Sequence, residues 1–311
     1  MSVAFLFPGQ GSQQPGMLHE LPDSTAASET IETAKRVLGR NVLELDSEAA
    51  LCSTVSAQLS LLIAGVAVGR ELLRAGAEPD LVAGMSVGSF GAAVIAGSID
   101  FKDALLLVRL RAELMENAFP NGYGMAAILG LDEGRMTGLV NSVHTPETPV
   151  YLANLNSPRQ IIASGSRMGL ERLMEKARMA GAHTTKLLNV AVPSHCPLLQ
   201  PVELALVRAM EGVMLRAPRF DIVGNRGGRR LRDPAAIRRD LVSNVAHAVR
   251  WHDATTLMFE LGARLFVELP PGHVLTRLAA ADFPEARAVA CGETRLDSVV
   301  RMVQRERGAG G

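Results

Sequence analysis

The stretch VAGMSVGSFGAAV, residues 82–94, allows the chain few folds. A short apolar run at 81–85 meets Ser86, and a helix-like apolar run from about Val87 to Ala96 follows at once. Gly84 and Gly88 flank the serine at equal distance. A strand that passes directly into a helix through Gly-x-Ser-x-Gly makes a sharp turn with a strained serine at its corner. Side chains at the glycine positions would collide across such a turn. The corner lifts the serine hydroxyl out of the sheet and aims the helix N-terminus at whatever the hydroxyl attacks. A second apolar run, Val3 to Phe7, is continuous rather than alternating and ends at Pro8-Gly9. That pattern suits a strand covered on both faces, as in a parallel sheet. The expected class is α/β.

The spacing of apolar residues predicts helices over 56–76, with Ser56 as N-cap, and over about 101–118, with Asp100 as N-cap. The rhythm then changes. Strand-like segments at 125–131, 150–156, 160–166 and 184–191 alternate with helix-like stretches at 132–142 and 167–181. Strand–helix–strand–strand–helix–strand fits a ferredoxin-like unit. Larger alternation resumes after Pro193, with helices near 197–212 and 233–246 and a buried strand at 264–270. The tail from Arg301, ending in GAGG, reads as frayed.

Composition excludes several classes. The chain carries 32 basic and 32 acidic residues, so the excess of positive charge usual in nucleic-acid or membrane-surface binders is missing. Three cysteines without CxxC spacing, Cys52, Cys196 and Cys291, argue against a disulfide framework and a zinc site. The N-terminal apolar run is too short for a leader or a membrane span. The expected location is the cytoplasm, with no metal and no bound cofactor.

A serine hydroxyl needs a base, usually histidine. Of the seven histidines, His195 lies between Pro193 and Pro197 in a stiffened segment joining regular elements. Cys196 with His195 as base is a poor pair, because adjacent residues in extended chain point apart. His247 and His252 are five apart, off the spacing that places two metal ligands on one helical face. On the helix at 101–118, Arg111 has Leu107, Val108, Leu114 and Met115 as its neighbours one turn away, so it faces inward. Its partner is either a structural carboxylate or a substrate carboxylate held bidentately. Arg109 instead pairs with Glu113 on the surface. FPGQGSQ at 7–13 is a Gly-rich turn after the first strand, able to bring a backbone N–H to the serine. It lacks the Lys-Ser/Thr of a phosphate-binding loop. Val87 N–H is the other expected oxyanion donor.

Taken together, FPGQGSQ, GMSVG, the arginine in VRLRAELM and VPSHC, in this order, resemble the malonyl-CoA:acyl-carrier-protein transacylase family. NSP at 156–158, GNR at 224–226 and VELPPGHVL at 267–275 extend the resemblance over nearly the whole chain. It implies an α/β-hydrolase-like acyltransferase domain over 1–120 and 192–311, with a ferredoxin-like insertion at 121–191. It also implies Ser86 as the acylated nucleophile, His195 as its base, and Gln10 and Val87 as backbone oxyanion donors. Arg111 would hold the malonyl carboxylate, and the main-chain carbonyl of Arg250 would orient the histidine. The implied donor is malonyl-CoA and the acceptor is the thiol of a carrier protein's prosthetic arm.

Several positions depart from the family's common pattern. Met85 stands for histidine, Ser89 for glutamate, Arg250 for glutamine, and His247-Ala248 for Asn-Pro. With YLANLN and VRWHDATTL, these make the chain resemble the epsilon subunits of bacterial malonate decarboxylases. That resemblance implies a small dedicated carrier with a phosphoribosyl-dephospho-CoA arm, and other decarboxylase subunits as partners. A general transacylase of fatty-acid or polyketide synthesis, a serine thioesterase or hydrolase on the same fold, and an idle scaffold subunit stay open. The basic stretch NRGGRRLRD, 225–233, is either a solvated loop or a docking site for CoA phosphates or an acidic carrier.

Overall fold

β1 (Ser2–Phe7) is buried from Val3 onward and sits in the middle of a sheet, as its unbroken apolar run predicts. The computed structural model describes residues 1–119, 121–190 and 192–308. After β1 come α1 (Thr25–Leu38), α2 (Thr54–Arg74), β2 (Leu81–Gly84), α3 (Gly88–Ile95) and α4 (Phe101–Ala118). The middle of the chain holds β3 (Tyr123–Leu129), α5 (Glu133–Val143), β4 (Val150–Ser157), β5 (Gln160–Ser166), α6 (Arg167–Met179) and β6 (Thr184–Leu187). Then follow α7 (Gln200–Met210), β7 (Asp221–Val223), β8 (Arg230–Leu231), α8 (Pro234–Ser243) and α9 (Trp251–Glu260). The chain closes with β9 (Ala263–Glu268), α10 (Val274–Asp282), β10 (Arg287–Ala290) and α11 (Leu296–Gly308).

The first sheet runs β10-β9-β1-β2-β7-β8 and is parallel except for the short β7–β8 pair. Helices α2, α3 and α4 pack on one face around Phe5, Phe7 and Phe90, and α9 and α10 pack on the other around Leu6, Trp251 and Phe266. The second sheet runs β4-β5-β3-β6 with antiparallel neighbours, and α5 and α6 cover one side of it. A backbone bridge ties β4 of the second sheet to the segment between α8 and α9. Leu155 N donates to Val249 O at 2.9 Å, and Val249 N donates to Ala153 O at 2.8 Å. Beside it the Arg250 guanidinium forks onto the Glu133 carboxylate at 2.9 and 3.1 Å.

Local chemistry corrects several sequence expectations. α2 begins earlier than predicted, because Ser53 and not Ser56 accepts the capping bond, from Val55 N at 3.2 Å. Asp100 precedes α4 but its carboxylate makes no capping bond and binds Arg216 instead. α1 was not anticipated. Its buried stripe is Ala26, Ala27, Thr30 and Ala34, too small to register as an apolar period. The tail expected to fray from Arg301 is helical to Gly308, because Val299 and Val303 bury against the core. β6 stops at Leu187, short of the expected strand end. Ala191, Pro120 and the last three residues of the expected tail lie outside the described residues.

Candidate active site

The corner at Ser86 is as tight as its glycines imply. A Cβ on Gly84 would lie 2.0 Å from the Gly88 carbonyl carbon, and one on Gly88 would lie 2.2 Å from the Phe7 carbonyl oxygen. Ser86 takes a φ of 57°, a left-handed conformation that L-residues avoid. Its peptide is held at both ends. Asn225 Oδ1 accepts from Ser86 N at 2.8 Å while Asn225 Nδ2 donates to Gly84 O at 2.8 Å. On the other side, Ser89 Oγ donates to Ser86 O at 2.7 Å. The Asp240 carboxylate fixes Asn225 in turn, accepting from the N–H groups of Asn225 and Arg226 at 3.1 and 2.9 Å. A stretched turn thus stays put because buried polar groups over-determine it.

His195 has the only other non-glycine positive φ among the described residues, 63°. Pro193 and Pro197 stiffen the flanks, and His195 N donates to Val245 O at 2.8 Å. Imidazole Nδ1 lies 2.5 Å from the Asn244 carbonyl oxygen. A carbonyl only accepts, so Nδ1 carries the proton and Nε2 is left with a free lone pair, the state a general base requires. Burial, and then the positive charge of Arg111, push the imidazole down to about 4. It is therefore neutral at physiological pH.

The orienting carbonyl is Asn244's and not Arg250's, which corrects the sequence expectation. Arg250 O accepts from Ala254 N in the first turn of α9, and its side chain is engaged with Glu133 and Asp253.

Arg111 faces inward from α4, as its apolar neighbours predict, and is fully buried. Nη1 donates to Gln58 Oε1 at 2.6 Å, and Nη2 donates to Ser86 Oγ at 3.0 Å. Asn244 Oδ1 stands 3.5 Å from Nη2, and among the described residues Nε has no partner. Among the described residues no carboxylate pairs with this guanidinium. Burial lowers it to about 10, so it stays charged at neutral pH. The structural carboxylate left open by sequence is thus not what Arg111 meets. A buried cation lacking a counter-ion is poised for an incoming anion. Arg109 pairs with Glu113 at 3.8 Å on the surface, as predicted.

A cavity of about 190 Å³ opens over Ser86 and His195. Ser86, His195, Gln10 and Met85 line it from the first sheet's side, and Asn154 and Asn156 line it from β4. Ser86 and His195 face this shared space, although the hydroxyl's partner here is Arg111 and not the imidazole. Val87 sits at the N-terminus of α3, and Gln10 lies on the facing loop. Gln10 Oε1 accepts from Gln58 Nε2 at 3.2 Å, which ties that loop to the residue holding Arg111. The volume suits the acyl end of a thioester, being below the roughly 300 Å³ where pockets for whole small molecules begin.

The other sequence candidates fall away. Cys196 Sγ donates to Pro193 O at 3.2 Å, and burial raises its thiol, which favours the unreactive protonated form. His252 pairs with Asp282 at 3.0 Å, and His247 Nδ1 lies 2.9 Å from Ser243 O. In the basic stretch, Arg230 and Arg232 both bind Asp221, which neutralises part of its charge internally.

Sequence reasoning missed Gln58, Ser89, Asn225 and Asn244 as supports of the site. It also missed Asn154 and Asn156 on the cavity wall; the buried Oδ1 of Asn156 has no partner among the described residues. Of these, Asn156 and Asn225 fall in segments the sequence singled out, NSP and GNR.

Comparison with known proteins agrees with this geometry. The acyl transferase domain family profile matches residues 4–303. The malonyl CoA-acyl carrier protein transacylase of Bacillus subtilis is 35% identical over 282 residues, 89% of each chain. That of Escherichia coli K12 is 36% identical over 281 residues, 88% of this chain and 91% of its own. The structure superposes on an acyl-carrier-protein S-malonyltransferase from Burkholderia pseudomallei with a TM-score of 0.92 at 36% identity, covering 97% of this chain and 100% of that one. A complex of a type II polyketide acyl carrier protein with its malonyl-transacylase matches with a TM-score of 0.91 at 34% identity, covering 98% and 100%. This chain belongs to the malonyl-CoA:acyl-carrier-protein transacylase family.

Proposed function

We propose that the chain is an acyl-carrier-protein S-malonyltransferase working by a ping-pong cycle through Ser86. His195 Nε2 takes the hydroxyl proton as Oγ attacks the thioester carbon of malonyl-CoA. The oxyanion rests on the N–H groups of Gln10 and Val87, each worth roughly 3 kcal/mol in comparable sites. The C–S bond breaks, the imidazolium returns its proton to the sulfur, and CoA leaves as the thiol. A carrier thiol then enters, gives its proton to His195 and attacks the malonyl ester, and Ser86 regains its hydrogen. Asn154 and Asn156, on the cavity wall facing the nucleophile, offer amide groups to the thioester arm.

The observation that carries this reading is Arg111: buried, charged, without an acidic partner, and 3.0 Å from the nucleophile. Such a group selects a malonyl over an acetyl unit, because an acyl group without a carboxylate leaves the charge unpaired. We read residues 1–120 and 192–311 as the α/β-hydrolase-like acyltransferase domain and 121–191 as a ferredoxin-like insertion. The β3-α5-β4-β5-α6-β6 order of the second sheet supports that division. Three unpaired cysteines support a cytoplasmic location.

The identity of the carrier divides into two readings. The names of the relatives favour a general acyl carrier protein, which in one complex is a type II polyketide carrier. Met85 and Ser89, both beside the nucleophile, favour the dedicated carrier of a malonate decarboxylase. Incubation with malonyl-CoA followed by intact-mass analysis should add one malonyl group, absent in Ser86→Ala. Transfer from that species to two carriers, one with a phosphopantetheine arm and one with a phosphoribosyl-dephospho-CoA arm, decides between the readings. Release of free malonate with neither carrier accepting it would point to a hydrolase. Absence of the mass gain would point to a scaffold.

A further inference from the structure

Asn244 follows the last turn of α8 and is fully buried. Three parts of the site converge on it. Its carbonyl oxygen accepts from His195 Nδ1 at 2.5 Å. Its Nδ2 donates to Ser89 Oγ at 3.0 Å, and that hydroxyl donates to Ser86 O at 2.7 Å. Its Oδ1 faces Arg111 Nη2 at 3.5 Å. The main chain of Asn244 thus orients the base, while its side chain reaches the nucleophile turn and the guanidinium.

The residue type matters here. An amide is the neutral group that both donates to Ser89 and accepts from Arg111. A carboxylate at this place would accept from both neighbours and cancel the charge on Arg111. An aliphatic side chain would leave Ser89 and Arg111 unsatisfied in a buried site. The long contact to Arg111 also marks a placeholder: close enough to orient the fork, too weak to hold it against an anion. We propose that Asn244 is a positioning residue that locks the imidazole in register with the nucleophile turn and holds Arg111 with a neutral acceptor, so that the guanidinium keeps its charge for the acyl carboxylate. The proposal rests on the malonyl-transfer reading above.

The test compares wild type with Asn244→Asp, Ser89→Ala and Ser89→Thr. Acylation of Ser86 by malonyl-CoA and by acetyl-CoA is followed by rapid quench and intact mass, across pH. Asn244→Asp installs a resident anion beside Arg111. KM for malonyl-CoA should rise about tenfold or more, with little change for acetyl-CoA, since only the carboxylate competes. The same anion stabilises the imidazolium, so the acid limb of the malonyl profile should move to higher pH. Arg111 on α4 is the charged group that bears on His195, and the remaining polar contacts are the backbones of Asn244 and His247. A side chain that merely fills space would move neither readout.

Ser89→Ala cuts only the side-chain link to the elbow. The malonyl kcat should fall roughly fivefold to tenfold with KM unchanged, and Ser89→Thr should restore it by returning the hydroxyl. Should Asn244→Asp not fold, the Ser89 pair carries the test. Wild-type selectivity and pH limb in folded Asn244→Asp, or wild-type kcat in Ser89→Ala, overturns the proposal while leaving the transfer reading intact. A wild-type protein that malonyl-CoA does not acylate overturns both.

Discussion

Arg111 Nη2 donates to Ser86 Oγ at 3.0 Å, so the group proposed to bind the acyl carboxylate also holds the proposed nucleophile. On the proposed function, an arriving carboxylate would draw the guanidinium into its own fork and release the hydroxyl toward His195, making recognition and activation one event. Arg111→Ala should lower kcat/KM for malonyl-CoA by roughly two to three orders of magnitude, with a far smaller loss for acetyl-CoA. Arg111→Lys should recover little of this, since an ammonium on a flexible stem cannot make the bidentate contact or satisfy Gln58 and Ser86 together. Parallel kinetics with the two thioesters check it. Equal losses for both would mean the guanidinium does not read the carboxylate.

The strained φ of Ser86 predicts an ordering of stabilities. Ser86→Gly and Ser86→Ala both remove the nucleophile and the Arg111 contact. They differ in that only glycine adopts this backbone region freely. Ser86→Gly should be more stable than Ser86→Ala by about 1 kcal/mol, read as a higher midpoint in urea. Identical midpoints would place the strain elsewhere than in the backbone.

Two pH effects follow from a buried imidazole held down to about 4. The base must be neutral, so kcat/KM for malonyl-CoA should persist well below the ordinary histidine range and fall only as pH nears that value. kcat/KM reports the free enzyme and kcat the bound one. Once the acyl carboxylate neutralises Arg111, protonation of His195 becomes easier, so the acid limb of kcat should lie at higher pH than that of kcat/KM. With acetyl-CoA the two limbs should coincide more closely. Stability carries the same signature. Between the ordinary histidine value of about 6.5 and about 4, the unfolded chain binds a proton that the folded one refuses, so stability declines as pH drops through that window. Below it His195 contributes no further change. His195→Gln should flatten this segment of the profile in denaturant titrations.

Arg250 offers a control. Its guanidinium fastens α5 to the start of α9, and both it and Glu133 are partly open to solvent. Arg250→Gln should cost about 1 kcal/mol or less, the range of exposed ion pairs, and leave the pH limb of acylation in place. A displaced limb would tie Arg250 to the imidazole after all.

The parts of the site that sequence exposes are those whose chemistry is local. Ser86 announces itself because two glycines must stand beside it, and Arg111 because a cation among leucines is out of place. His195 shows through its flanking prolines. The rest depends on contacts between distant segments. Nothing in the neighbourhood of Asn225, Asn244 or Gln58 marks an asparagine or glutamine as buried, and their partners lie 139, 155 and 53 positions away. The carbonyl that orients His195 is harder still, since any residue type supplies one. Fold elements divide in the same way. β1 and α4 follow from apolar pattern, whereas α1 hides because alanines carry its buried stripe.

The bridge between Val249 and β4 joins the cavity's far wall to the stretch at 244–250, and that same stretch supports the imidazole through Asn244. A carrier leaning on the second sheet would therefore load the base's own footing through a few peptide units. On the proposed function, the wall that meets the acceptor and the footing of the proton relay would be one continuous stretch of backbone.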